Sequence, residues 1–199
     1  MKVKETIALA VLSLSCFLFL FCCKSAHHHE TDSGGNCIIN TAGDPRAKGI
    51  KMEVYYPCSW VELPKTEAHA GDVCVLGTLH GTDSANAGLF VSVSRLTMSQ
   101  TAQEQLRTNT YMTDSFKLAN GVISSDTIQI SGMSGGQLVS EGRSARGVFF
   151  YQLIIQFYMR QRFVQFVYSV GALAKNDALS TFNQQKPLFL ALARRTKFE

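Results

Sequence analysis

Residues 132–136 read Gly-Met-Ser-Gly-Gly, which fits G-x-S-x-G, the turn that presents a nucleophilic serine in many hydrolases. In that chemistry Ser134 is the nucleophile, His80 the general base and Asp83 or Asp114 the acid that orients it, with His69 a weaker base. An elbow of this kind needs a strand before the serine and a helix after it. The flank that follows, QLVSEGRSARGVFFYQ, carries Gly142 and Gly147 and patterns as strand. A two-barrel protease would also need more than the folded part, about 150 residues, supplies. The spacing therefore predicts a hairpin loop in which Gly132 and Gly135-Gly136 provide positive φ angles, with Ser134 a turn residue. A secreted hydrolase using Ser134 and His80 is the alternative.

His27, His28 and His29, with Glu30 and Asp32, have the types that capture zinc or copper. They sit in a polar, aperiodic stretch, and a cluster without a preorganised scaffold reads as a solvated linker. No cofactor is expected. His80, alone between Gly77 and Gly81, reads as a loop residue.

The elements that must position these groups begin after an unusual leader. Lys2 and Lys4 precede an uncharged run, Ile7 to Phe21, which is short for a membrane span and reads as a signal peptide, with an uncleaved anchor as the alternative. Leu20-Phe21-Cys22-Cys23 resembles a lipobox with Cys22 in the place of the usual small residue, making Cys23 the lipid-bearing residue ahead of Cys16. Beyond Cys23 remain Cys37, Cys58 and Cys74; an oxidising compartment permits one bridge, and Cys58–Cys74 is the favoured pair because both lie near strand ends. No CxxC spacing suggests structural zinc. Three segments follow: a signal peptide over 1–23, a flexible tether over 24–47 and one domain over 48–199.

Within the domain, alternation predicts strands over 51–56, 72–77 and 89–96, then a helix opened by the capping box Thr101-x-x-Glu104 and stopped near Asn120-Gly121. Strands resume around 127–130 and 137–141. Val148–Met159 and Phe163–Val170 form the strongest hairpin, expected at the middle of the sheet, with Val164, Phe166, Tyr168 and Val170 on one face. A closing helix starts with Asn176 as cap, and Pro187 reads as an early residue of the last helix. The fold class is α+β, a single-domain α/β/α sandwich with a mainly antiparallel sheet flanked by helices.

These landmarks, in this order, resemble the PsbP family and its bacterial DcrB-type lipoprotein relatives. IKMEVYYPCSWVEL is similar to the family's first strand, and GLFVSVSRL before a helix to its central strand. VISSDTIQISGMSGGQLVSEG is similar to its glycine-containing hairpin. FFYQLIIQFYMRQRFVQFVYSVG is similar to its long hairpin, and ALSTFNQQKPLFLALARRTKF to its closing helix. The resemblance spans roughly 48–198; the loop around His80, Cys58 and Cys74 depart from it. It implies an α/β/α fold without a shared catalytic apparatus, among accessory and binding proteins of photosystems and cell envelopes, so function does not transfer with fold.

Charge adds one more expectation. Residues 24–142 hold 8 basic and 12 acidic side chains, whereas 143–199 hold 9 and 2. Arg143, Arg146, Arg160, Arg162, Arg194, Arg195 and Lys197 are thus candidates for a basic patch that meets anionic lipid headgroups or an acidic partner protein. The whole-chain charge of +4 does not argue for nucleic acid. The reading is a bacterial envelope lipoprotein, facing the periplasm or surface, that binds or assembles and does not catalyse; if the lipobox is unused, it is secreted.

Overall fold

Alternating apolar residues build two antiparallel sheets in the computed structural model, which describes residues 29–63, 71–78, 85–95, 99, 101 and 121–199. The strands are β1 (His29–Thr31), β2 (Asn36–Asn40), β3 (Met52–Pro57), β4 (Val61–Glu62), β5 (Cys74–Gly77), β6 (Ala85–Ser94), β7 (Gly121–Ile130), β8 (Met133–Arg143), β9 (Phe149–Met159), β10 (Arg162–Ala172) and β11 (Lys197–Phe198). The described residues include the whole of one α-helix, α1 (Lys175–Arg195), a 3-10 turn at Pro45–Ala47 and a helical residue at Thr101. The small sheet runs β1-β2-β3-β11 and the large one β4-β5-β6-β10-β9-β8-β7.

The long hairpin is the centre of the large sheet, as its alternation predicts. Tyr151, Leu153, Ile155 and Phe157 of β9 join Val164, Phe166, Tyr168 and Val170 of β10 on one buried face. That face receives both α1 and the small sheet. Phe182 of α1 packs on Tyr151, Phe189 stacks on Tyr168 at 5.0 Å, and Phe198 of β11 meets Phe157 and Phe166. Period-2 strands and one apolar helical stripe thus share a single core. On the other face of the large sheet Leu138 and Ile154 are buried with Val122, Tyr158, Phe163 and Val167 around them.

Four expectations need correction. Residues 29–47 are not tether: β2 pairs with β3 over five residues, Ile39 is fully buried, and Asp32 folds the β1–β2 turn by accepting the backbone N–H groups of Gly34 and Asn36. The disulfide joins Cys37 to Cys58, not Cys58 to Cys74. Register decides this: Cys37 sits opposite Tyr56, two residues before Cys58, with 4.9 Å between the cysteine Cα atoms. Cys74 instead opens β5 in the other sheet as a fully buried free thiol, its pKa pushed up chiefly by burial.

The closing helix starts at Lys175, with Ala174 rather than Asn176 at its N-cap, and runs unbroken through Pro187. An interior proline costs a helix about 3 kcal/mol. Phe182 and Phe189, buried on either side of it, anchor both halves to the same sheet and hold the helix together. The helix expected over 101–120 lies outside the described residues beyond Thr101.

Candidate functional site: two charged ends of the large sheet

Ser134 does not occupy an elbow. The β7–β8 turn is Ser131-Gly132, with φ of 50° and 76°, and Ile130 pairs with Met133 across it. Two positive-φ residues between paired neighbours make a type I′ hairpin. Ser134 is therefore not the turn residue expected: it lies in β8 opposite Gln129, two residues past the turn and in an antiparallel ladder rather than at a helix start. It lines a cavity of about 410 Å³ with Gly132, Met133, Phe157 and Tyr158. His80, His69, Asp83 and Asp114 lie outside the described residues.

Gly135 and Gly136 do not supply positive φ angles; they are strand residues. Gly135 is required by close approach, since a Cβ there would stand 2.4 Å from the Gln156 carbonyl oxygen and 2.5 Å from the Phe157 ring. The glycines of the motif thus serve a turn and a packing contact.

The basic residues do not form one patch. Arg143 pairs across the ladder with Phe149, and Arg162 with Met159, at opposite ends of the β9–β10 hairpin. Ten residues of strand separate these ends, about 33 Å.

At the first end, Glu141 of β8 accepts hydrogen bonds from the hydroxyl of Tyr151 in β9 and from Lys175 at the start of α1, whose Nζ is 3.1 Å from the carboxylate. These bonds hold the Glu141 carboxyl below its ordinary range and raise Lys175. Tyr151 is raised, first by burial and then by Glu141. The Arg143 guanidinium lies 4.8 Å over the Phe149 ring, and Gly121 and Gly142 complete the lining of an open cleft of about 290 Å³. An ionised, doubly bonded carboxylate is a poor general acid at neutral pH, and in this cleft it is held by Tyr151 and Lys175 beside the further cation Arg143. Glu141, Tyr151 and Lys175 were not among the candidates from sequence. The available signal was that Glu141 is the sole carboxylate between Asp126 and Asp177.

At the second end, Arg160 and Gln161 form the β9–β10 turn with φ of 49° and 59°. Arg162 donates from Nε to the carbonyl of Lys48, and Lys48 donates from Nζ to the carbonyl of Val93 near the end of β6, which brings Arg95 alongside. No carboxylate pairs with Lys48, Arg95, Arg160 or Arg162 among the described residues. The carboxy-terminal cations are different. Arg195 is ion-paired with Asp32 and lies 4.7 Å over the Tyr55 ring. Lys197 bonds Glu53 at 2.8 Å, which lifts its pKa to about 12 and lowers that of Glu53. Arg194 is exposed at the last turn of α1. Lys48 and Arg95, absent from the sequence candidates, belong to this end, whereas Arg143 and Arg146 do not.

His29 opens β1, while His27, His28 and Cys23 lie outside the described residues. Among the described residues no cluster of three or more His, Cys, Asp or Glu is arranged to hold a metal ion.

No family model and no curated protein matches the chain. Among solved structures, the fold is similar to LpqN of Mycobacterium tuberculosis, described as involved in cell envelope biogenesis. The TM-score is 0.51 at 13% identity, over 78% of this chain and 86% of LpqN. It is also similar to the cyanobacterial PsbP (CyanoP) of Synechocystis sp. PCC 6803, with a TM-score of 0.49 at 15% identity, over 86% of this chain and 92% of that one. The likeness to LpqN is one of fold alone.

Proposed function

We propose that the protein is an exported, lipid-anchored module of the cell envelope that binds or assembles and does not catalyse, built on an α/β/α sandwich. The observation that carries this reading is the Cys37–Cys58 disulfide, which ties β2 to the end of β3. Structural disulfides persist in oxidising compartments outside the cytosol. A leader with Lys2 and Lys4, an uncharged run to Phe21 and a lipobox-like Cys23 supplies the route out and the anchor. The envelope role described for LpqN, which has this fold, agrees with that placement.

In this reading the protein works through its surface: an acidic partner or an anionic membrane meets the cations at the Arg160 end, which have no carboxylate partner among the described residues. Fractionation of the native host tests it. The protein sediments with membranes and Cys23→Ser releases it into the soluble extract; a wild-type protein that is soluble in the absence of any mutation contradicts the anchor.

A further inference from the structure

We infer that the β9–β10 turn end of the domain, carrying Lys48, Arg95, Arg160 and Arg162, lies against the anionic phospholipid leaflet in which the Cys23 lipid is seated. This rests on the anchored reading above and adds an orientation to it.

The argument begins with where the folded chain starts. His29 pairs with Ile39, and Ile39 with Val54. One step along β3, Glu53 pairs with Lys197, and the next residue of β11, Phe198, packs on Phe157 and Phe166. Phe157 is two residues from the end of β9. The entry of the chain into the fold is therefore level with the last turn of that hairpin.

The leash is short. Cys23 and His29 are six residue steps apart, which at full extension reach at most about 21 Å. From the level of Phe157 to that of Phe149, at the Arg143 end, is eight strand residues, about 26 Å. The anchor reaches the Arg160 end easily and cannot pass the opposite end.

Charge favours the same face, with four such cations there against Arg143 and Arg146 at the other end. Lys51 is paired with Glu199 and Lys197 with Glu53, so these cations are already answered. Arg95 and Arg160 are exposed, Lys48 and Arg162 half-buried, and none has a carboxylate partner among the described residues. Four cations with no carboxylate partner among the described residues suit a negatively charged headgroup layer, and anchoring by one acyl group set plus basic residues is a stable combination.

The test uses the full protein purified from its host membranes. Its intact mass is read first. It is then placed in nanodiscs of phosphatidylcholine with phosphatidylglycerol, or of phosphatidylcholine alone, and amide hydrogen exchange is followed. The proposal expects several-fold slower exchange at 46–50 and 158–163 in the anionic discs only, lost in 0.5 M salt and in the Arg95→Glu/Arg160→Glu variant, with the core of β9 and β10 unchanged. An acylated protein whose exchange is the same in both discs, or slows at 143–147 instead, overturns the orientation while leaving the anchor intact. A chain without acyl groups contradicts the anchored reading itself, and the orientation with it.

Discussion

Cys37 and Cys58 are bonded across the edge where β2 meets β3, closing a loop with a sequence separation of 21 residues. The bridge secures a strand pair whose own core contribution is small, since Ile39 is the one residue of β2 that is fully buried. A loop of this size predicts about 3 kcal/mol of stabilisation through the unfolded state. The double Cys37→Ser/Cys58→Ser variant should lose about that much in chemical denaturation, with a lower midpoint and intact large-sheet structure. A change well under 1 kcal/mol would show that β2 holds without it.

Glu141 supplies a pH dependence with a defined sign. Its bonds from Tyr151 and Lys175 lower the folded-state pKa below the unfolded value, about 4.3 for glutamate. Stability from these bonds is therefore full above that value and is lost as pH falls through the depressed folded-state pKa. Glu141→Gln should melt below wild type at pH 7, and the gap should close toward pH 3. A gap that is constant with pH would mean the variant acts through packing alone.

Gly135 and Gly132 separate packing from turn geometry within one motif. Alanine at 135 must displace the Gln156 carbonyl or the Phe157 ring, so Gly135→Ala should cost about 3 kcal/mol. At Gly132 nothing lies within 4 Å of a built Cβ and only the φ of 76° opposes a side chain, so Gly132→Ala should cost about 1 kcal/mol. Urea denaturation of the two variants checks the order, and equal losses would contradict it.

The strand setting of Ser134 makes a prediction about reactivity. A fluorophosphonate probe should leave the folded protein unlabelled, because an activated serine requires an aligned base. Labelling that Ser134→Ala abolishes would restore the hydrolase reading.

What could be read from the chain follows the strength of each local pattern. The β9–β10 hairpin is legible because Val164, Phe166, Tyr168 and Val170 alternate with polar or smaller neighbours, and all four are buried. β2 is not, because Cys37-Ile38-Ile39 is a three-residue apolar run among Gly and Asn, too short to carry a period. Pro187 reads as a helix boundary locally, and the burial of Phe182 and Phe189 overrides it. The polar cleft is illegible for another reason: Glu141, Tyr151 and Lys175 come from β8, β9 and α1 and meet only once the sheet is assembled. The same holds for Lys48 and Arg162, 114 residues apart and joined by one hydrogen bond. Charge counted along the sequence groups Arg143 with Arg160, and an antiparallel hairpin puts them at opposite ends.

The anchor at Cys23 is the claim on which both the function and the orientation depend, and the intact mass of the native protein extracted from its host's membrane fraction tests it most directly. The account predicts a chain that begins at Cys23 and carries acyl groups, with Cys37 and Cys58 two hydrogens short of the reduced pair. An unacylated chain recovered from the medium, cut near Ala26, would contradict it.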